Sequence, residues 1–132
     1  MDNKQLDQWL AEEVMGWHLR EQQRYDITQK RYYMVSGYYG EGNAFVIDKK
    51  DWHPTTDIAQ AMMCARAITK EPGMYIEIDI NISPDGIDVS VSKYKDGVDD
   101  GTPPEFYCLK SGNVGEEVVT ICHAIYESRK DV

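Results

Sequence analysis

The hydrophobic pattern is clearest in the middle of the chain, over residues 52–68. Apolar residues recur there with the 3.6-residue period of an α-helix, and alanines in the stripe would let another element approach closely. Thr55 or Thr56 can cap the helix start, and Asp57 adds a negative charge to the first turn, where the helix dipole favours it. The Pro-Gly pair at 72–73 marks the end. The predicted apolar stripe consists of Ile58, Ala61, Met62, Ala65 and Ile68.

An alternating pattern, typical of β-strands, follows this helix. Isoleucines alternate with polar residues over residues 75–82, and the alternation continues, mainly with valines, over residues 87–91. The Pro-Asp-Gly sequence at 84–86 favours a tight turn between the two runs. We therefore predict an antiparallel hairpin with one apolar and one polar face, and we expect the central helix to pack flat on the apolar face.

Two further helices are predicted near the ends of the chain. Apolar residues recur at helical spacing over residues 4–17, with acidic residues on the opposite face. Near the other end, Asn113 and Glu116 have the spacing of a capping box and precede a second apolar stripe. A short strand is predicted before that last helix, at residues 106–109. The two stripes contain Leu6, Trp9, Leu10, Val14 and Trp17, and Val118, Ile121, Cys122 and Ile125.

The segment 20–50 is rich in tyrosine and glycine and has a poor hydrophobic period. Short strands at 32–35 and 44–47 would flank a glycine-rich turn at 37–42. The segment holds six basic and four acidic residues, so it is locally basic within a chain of net charge −9.

Taken in order, these elements predict one domain over residues 1–132 with an α+β fold. A mainly antiparallel sheet would carry the N-terminal, the central and the C-terminal helix. Helices on both faces of that sheet would instead form a three-layer α/β/α sandwich, which the pattern leaves open.

Composition narrows the classes of partner. The net charge of −9 argues against direct binding to nucleic acid or to an anionic membrane surface, because both require a basic footprint. The odd number of cysteines, without close spacing, argues against a disulfide framework and favours the reducing cytoplasm. The polar N-terminus lacks the pattern of a secretory signal, and no apolar run reaches the length of a membrane span.

Three pieces, spread over nearly the whole chain, carry a family resemblance. They are Val-Met-Gly-Trp at 14–17, Pro-Thr-Thr-Asp-Ile at 54–58 leading into an alanine-rich helix, and Val-Thr-Ile-Cys-His-Ala at 119–124. The chain resembles the phage ABA sandwich domain, a family of small phage and prophage proteins, although His123 and the Tyr/Gly-rich segment depart from its pattern. The resemblance implies a phage or prophage origin, the cytoplasm of a bacterial host and a small α/β sandwich, without an agreed activity.

Catalytic and metal-binding patterns are weak. The histidines and cysteines show neither Cys-x-x-Cys nor His-Glu-x-x-His spacing. Cys122 lies on the apolar stripe of the last helix and is most simply a small core residue. Glu77 and Asp79, on the polar face of the hairpin, and the carboxylates of the loop 96–105 are most simply solvated charges. We therefore predict no metal site, no cofactor and no catalytic residue.

The basic Tyr-rich segment is the best candidate for a ligand site. A small site holds a nucleobase and its phosphates by combining an aromatic ring with cationic side chains, and glycine-rich backbone can add N–H donors. The alternative is that this segment packs on the sheet or forms a subunit interface, where tyrosine is enriched. The predicted ligand-binding residues are Arg31 and Lys49 for phosphates, Tyr38, Tyr39 or Trp52 for stacking, and His53 as a hydrogen-bond donor.

These observations lead to one functional hypothesis and two alternatives. We predict a non-catalytic, phage-type binding protein that sequesters a small nucleotide-like immune signal and so counters host defence, with a shared site in a homo-oligomer. The first alternative is an acidic module whose hairpin and 96–105 loop block a basic host protein, since residues 71–105 contain nine acidic and two basic residues. The second alternative is a small nucleotide hydrolase.

Overall fold

The computed structural model describes residues 1–97 and 101–130 of the chain. A helix, three strands, a second helix, three more strands and a third helix follow one another along these residues, in agreement with the predicted α+β class. Residues 98–100 of the predicted loop 96–105 lie outside the described part. The helices are α1 (Asn3–Trp9), α2 (Ile58–Ile68) and α3 (Glu117–Arg129), and the strands are β1 (His18–Asp26), β2 (Arg31–Tyr39), β3 (Phe45–Asp48), β4 (Met74–Ser83), β5 (Gly86–Lys95) and β6 (Phe106–Gly112).

The strands form two separate antiparallel sheets of three strands each. The first sheet has the order β1-β2-β3 and the second has the order β4-β5-β6. The antiparallel pairing is as predicted, but the division into two sheets is not. In the first sheet β1 and β2 pair over their full lengths, whereas β3 pairs with β2 only from Gly37 to Tyr39.

The N-terminal helix predicted over residues 4–17 is present but ends earlier, at Val14, so that Trp17 lies beyond it. Asp2 and Gln5 form a capping box at its start, and after Trp9 the chain continues as a π-helical segment, Leu10–Val14. Leu6 and Leu10, two members of the predicted stripe, are fully buried.

The central helix is also present, but its cap and its buried face differ from the prediction. Asp57 caps the helix, because its carboxylate accepts a hydrogen bond from the backbone N–H of Gln60. Neither Thr55 nor Thr56 has this role, and the helix ends at Ile68, before the Pro-Gly pair. The buried residues of α2 are Ala61, Cys64, Ala65 and Ile68, whereas Ile58 and Met62 are exposed.

The hairpin predicted over residues 75–91 is confirmed as β4 and β5, but α3 and not α2 covers its apolar face. Contacts of the second sheet with helices run chiefly from β5 and β6 to α3, and α2 packs beside α3. The opposite face of the sheet carries exposed Tyr75, Tyr107 and Leu109. No described helix covers that face, so the three-layer sandwich is not formed around this sheet.

A network of hydrogen bonds centred on Asp7 joins α1 to the segment before α2. The backbone carbonyl of Asp7 accepts a 2.8 Å hydrogen bond from the indole Nε1–H of Trp52. Its carboxylate accepts from the backbone N–H of Thr55 at 2.9 Å and from the Thr55 hydroxyl at 3.2 Å. From α3, the thiol of Cys122 lies 3.3 Å from the carbonyl oxygen of Pro54. The segment 52–55 is therefore fixed from two sides.

Burial raises the pKa of Asp7 above its usual value, although the hydrogen bonds from Thr55 and the charge of His53 oppose this shift. An acid whose pKa is raised by folding stabilises the fold when it is protonated, and this contribution is lost as the pH rises through the folded-state pKa.

We predict different effects for two substitutions of Asp7. Asp7→Asn keeps an acceptor for the Thr55 N–H and removes the buried charge, so its stability relative to wild type should increase as the pH rises from about 3 to 7. Asp7→Ala leaves the Thr55 groups unpaired and should cost about 1–3 kcal/mol at neutral pH. Urea denaturation followed by circular dichroism measures both. An equal loss of stability for the two variants at every pH would contradict the assigned hydrogen bonds.

Candidate functional site

A cleft of about 700 Å³ lies between α1, one edge of the first sheet and the connection from β3 to α2. The position of the cleft follows from the strand pairing. Because β3 pairs with β2 only from Gly37 onward, the edge of β2 before that residue has no strand neighbour on the β3 side among the described residues. Residues 33–36 of this open edge form one wall of the cleft, and residues 48–53 form another.

The structure brings four of the six predicted ligand-binding residues to the cleft. Tyr38, Lys49, Trp52 and His53 line it, whereas Arg31 and Tyr39 do not. Three of these four come from a short continuous stretch of the chain, which explains why sequence reasoning could group them. The two that do not line the cleft are placed elsewhere by the geometry of β2.

Arg31 and Tyr39 lie at opposite ends of β2. Arg31 lies opposite Asp26 in the strand register of β1 and β2, beside the turn that joins these strands. The side chain of Tyr39 projects to the face of the sheet opposite to that of its neighbour Tyr38, since successive residues of a strand alternate. There its hydroxyl donates to Gln22 at 2.9 Å, and its ring makes an edge contact with Phe45.

The two buried aromatic residues form the floor of the cleft and are not free to stack on a ligand. Tyr38 and Trp52 are 1% and 4% exposed. The ring of Trp52 lies 4.8 Å from that of Trp17, and its indole N–H is already bonded to Asp7. Burial raises the pKa of Tyr38 to about 12, and Glu12 and Asp7 add to the shift. The predicted stacking role therefore does not fit either residue.

Tyr33 is the exposed aromatic residue that lines the cleft; by the alternation of β2 its side chain lies on the Tyr39 face of the sheet, opposite to Tyr38, and it borders the cleft at the open edge. It lies on the open edge of β2 and is 42% exposed. Sequence reasoning noted its membership of the tyrosine-rich segment but did not assign it to the site, because the incomplete pairing of β3 has no signature in the sequence.

The glycines of the segment 37–42 do not line the cleft, and Gly40 takes part in a turn. The backbone N–H of Gly40 donates to the carbonyl of Ala44 at 2.8 Å, and Asn43 donates back to Gly40 at 3.2 Å. Gly37 lies inside β2, where an added Cβ would be 3.0 Å from the ring of Phe45. The expected phosphate-binding role of this backbone is therefore not supported, since its N–H groups serve the turn and the closeness of Phe45 accounts for one of the glycines.

Within the described residues, the acidic side chains of the cleft have partners and three of its lysines do not. Each acidic residue on its wall has a partner: Asp2 caps α1, Asp7 binds Thr55, and Asp48 pairs with Arg24 at 2.9 Å. By contrast, three lysines on the wall form no ion pair or side-chain hydrogen bond with any residue of the described ranges. They are Lys4, Lys49 and Lys50, and all three are exposed. An anion entering the cleft could therefore bind these lysines, while the carboxylates of the wall are already hydrogen-bonded or ion-paired.

His53 lies at the rim of the cleft with one ring nitrogen engaged. Its Nδ1 lies 3.1 Å from the hydroxyl of Thr56, and its backbone N–H donates to the side chain of Gln60 at 2.7 Å. The backbone contact fixes the position of the residue at the start of α2. Within the described residues Nε2 has no partner, so it can face a ligand.

The cysteines lie away from the cleft and are protonated at neutral pH. Burial raises the pKa of the Cys64 thiol to about 12, and it also raises the pKa values of Cys108 and Cys122. Across residues 1–97 and 101–130, no group of three or more histidine, cysteine or acidic side chains is arranged to hold a metal ion.

Two lysines of the cleft were missed by sequence reasoning. Lys50 was noted for its charge but not assigned, although it directly follows the predicted Lys49. Lys4 comes from α1 and reaches the cleft only through the tertiary fold, which the Asp7 network establishes. No local pattern could have linked Lys4 to residues more than forty positions away.

Comparison with known proteins gave no match to a protein-family model, to a curated protein or to a solved structure. None of the helices formed by the described residues is both long and apolar enough to cross a membrane.

We predict that the two floor residues of the cleft differ in their sensitivity to loss of a polar group. Trp52→Phe removes the hydrogen bond to the Asp7 carbonyl and should cost about 1–3 kcal/mol of stability. Tyr38→Phe should change stability by less than about 0.5 kcal/mol, because the Tyr38 hydroxyl has no hydrogen-bond partner among the described residues. Equilibrium urea denaturation followed by circular dichroism compares them. A larger loss for Tyr38→Phe would contradict this description of the floor.

Proposed function

We propose that the protein is a non-catalytic binding protein whose cleft captures a small anionic ligand of nucleotide size. The observation that carries the proposal is that the acidic side chains of the cleft are already bonded, whereas three of its lysines have no partner among the described residues. Lys4, Lys49 and Lys50 are exposed and unpaired within the described residues, whereas the acidic residues of the wall are engaged. A cationic surface on a chain of net charge −9 is compatible with a site for phosphate or carboxylate groups.

The dimensions of the cleft and its aromatic lining support a nucleotide-like ligand. Its volume of about 700 Å³ falls within the usual range for small-molecule sites. The buried rings of Tyr38 and Trp52 give an apolar floor, and exposed Tyr33 provides a face on which a base can stack. In this proposal Lys4, Lys49 and Lys50 hold the phosphates.

His53 would donate a hydrogen bond to the ligand from Nε2, as predicted from the sequence. In the tautomer with the proton on Nε2, Nδ1 accepts from the Thr56 hydroxyl at 3.1 Å, and this hydroxyl is then shared with the His53 carbonyl oxygen, which it reaches at 3.2 Å. The proposed role is binding without turnover. The thiols are buried and protonated, and His53 is the side chain of the cleft whose chemistry comes closest to that of a general base.

The biological setting proposed from the sequence is unchanged. A phage-type protein that holds a nucleotide-like immune signal would counter host defence by lowering the concentration of the free signal, which requires affinity and abundance but no chemistry. The resemblance to the phage ABA sandwich domain and the homo-oligomer both stay predictions. In a homo-oligomer, a second copy could supply Arg31, which does not line the cleft of its own chain.

We predict that removing the two adjacent lysines of the cleft, Lys49 and Lys50, weakens binding of its ligand. Isothermal titration calorimetry with a panel of cyclic dinucleotides and ADP-ribose should identify a ligand that binds wild type. Lys49→Ala combined with Lys50→Ala should then weaken binding about tenfold or more, since each lost charged hydrogen bond costs roughly 1.5–3 kcal/mol. Tyr33→Ala should weaken it by a similar factor through lost stacking, which is worth about 1–3 kcal/mol.

The matched control removes two exposed lysines outside the cleft. Lys70→Ala combined with Lys95→Ala changes the net charge equally and should alter affinity by less than about twofold. Chromatography of the recovered ligand should show it chemically intact. Equal weakening in both double variants would show that overall charge, and not the cleft, governs binding. Conversion of the ligand would support the hydrolase alternative.

A further inference from the structure

The outer edge of β4 is unprotected. In the second sheet β4 is an edge strand that pairs with β5 along all ten of its residues, and no other strand of the described residues pairs with it. A long open edge presents unpaired backbone N–H and C=O groups, and proteins normally shield such edges with short strands, bulges, prolines or a covering element. β4 is ten residues long, pairs without a bulge and contains no proline; of the other known device, charged side chains on the edge strand, it carries Glu77 and Asp79.

One face of β4 carries a row of isoleucines that the helices leave uncovered. Ile78, Ile80 and Ile82 lie opposite Val91, Val89 and Ile87 of β5. The three β5 residues are buried, whereas Ile80 and Ile82 are 36% and 67% exposed. Ile76, nearer the start of β4 on the same face, is buried, and Ile78 packs partly against the core, so the uncovered part of this face is the second half of β4, around Ile80 and Ile82.

A groove separates these isoleucines from α2. Met62, Ala65, Arg66 and Thr69 of α2 line it on one side, and Ile78 and Ile80 line it on the other, enclosing about 270 Å³. Because Arg66 is a cation on this side, basic residues of an added strand are favoured only on the opposite face of β4. Met62 is 40% exposed. A strand added to the edge of β4 would place every second side chain over this groove, where apolar residues would be favoured.

The other face of β4 determines the charge that an added strand must carry. Glu77 and Asp79 are exposed there and form no ion pair with a described residue; their β5 neighbours are Ser92 and Ser90. Side chains directly opposite each other on neighbouring strands interact, and opposite charges stabilise the pair. Lysine or arginine at alternate positions of the added strand would therefore complement this face.

The same charges argue against a second copy of the chain as the occupant. A twofold axis that pairs β4 with β4 of another copy is perpendicular to the sheet and keeps the faces aligned. In each register centred between Glu77 and Asp79, an acidic residue of one copy then faces an acidic residue of the other, which is destabilising. The net charge of −9 on each copy adds to the repulsion.

We propose that the edge of β4 binds an extended segment of a basic partner protein by strand addition. Apolar residues of the segment enter the groove between β4 and α2, and its lysine or arginine residues face Glu77 and Asp79. This surface is independent of the cleft, because it belongs to the second sheet and to the face of α2 that borders β4. It gives the acidic interaction module considered from the sequence a specific location and a specific mode of recognition.

The test uses the synthetic peptide acetyl-Lys-Val-Lys-Ile-Arg-Val-Lys-amide as the probe, labelled for fluorescence polarisation, with the full-length protein. Binding should weaken as salt rises from about 50 to 500 mM. A peptide of the same composition in block order, and a version N-methylated at alternate backbone amides, should each bind at least about tenfold more weakly, because strand addition needs both alternation and backbone hydrogen bonds.

The protein variants distinguish the edge from diffuse charge. Glu77→Lys combined with Asp79→Lys should weaken peptide binding about tenfold or more, whereas Glu12→Lys combined with Glu13→Lys, with the same change of net charge, should change it less than about threefold. Ile80→Asp should weaken binding through the groove, with folding checked by circular dichroism. Equal binding of the alternating, block and methylated peptides would overturn the proposal. So would a dimer in sedimentation velocity that Glu77→Lys strengthens, because such a dimer would itself occupy the edge of β4.

Discussion

The network around Asp7 is the interaction on which the arrangement of this protein depends. A single residue of α1 accepts the indole of Trp52 at its carbonyl and two groups of Thr55 at its carboxylate. These bonds hold the connection between the first sheet and α2 against α1, while Cys122 of α3 contacts the same connection at Pro54. Trp52 in turn packs against Trp17, which precedes β1. The space left between α1, this connection and the edge of β2 is the cleft.

The two surfaces described here have opposite charge, and the fold keeps them apart. The cleft has three lysines that form no ion pair with a described residue, whereas the exposed face of β4 in the second sheet carries the carboxylates of Glu77 and Asp79. The helices lie between the sheets, with α3 against the second sheet and the π-helical segment after α1 contacting β1. A chain of net charge −9 can therefore present an anion-binding site without local cancellation by its acidic hairpin.

Sequence reasoning succeeded where one side of an element is buried. Elements that contact the core on one face have a periodic pattern of apolar residues. The sequence therefore predicted the apolar stripes of α1 and α3 and the alternation of β4 and β5. It failed for β1, which is almost wholly exposed and therefore has no apolar period. Ile58 and Met62 were wrongly predicted to be buried because their positions fit the helical period of α2. In the structure α2 packs against α3, and its buried face is centred on Cys64.

The candidate site was predictable only where it is local in the chain. Lys49, Trp52 and His53 are close neighbours in the sequence, so one segment carries them into the cleft together. Tyr38 reached the cleft as floor and not as a stacking residue, because its ring is buried against Trp17. The contributions of Lys4 and Tyr33 depend on the Asp7 network and on the shortness of β3. Both are tertiary features without a local signature.

The central claim, that the cleft holds a small anionic ligand, is tested most directly by native mass spectrometry of protein purified from bacterial cells. If the cleft holds such a ligand, we expect an additional discrete mass of nucleotide size, present on the folded protein and released chemically intact on denaturation. A single unliganded mass, unchanged after incubation with cyclic dinucleotides and ADP-ribose, would contradict the claim.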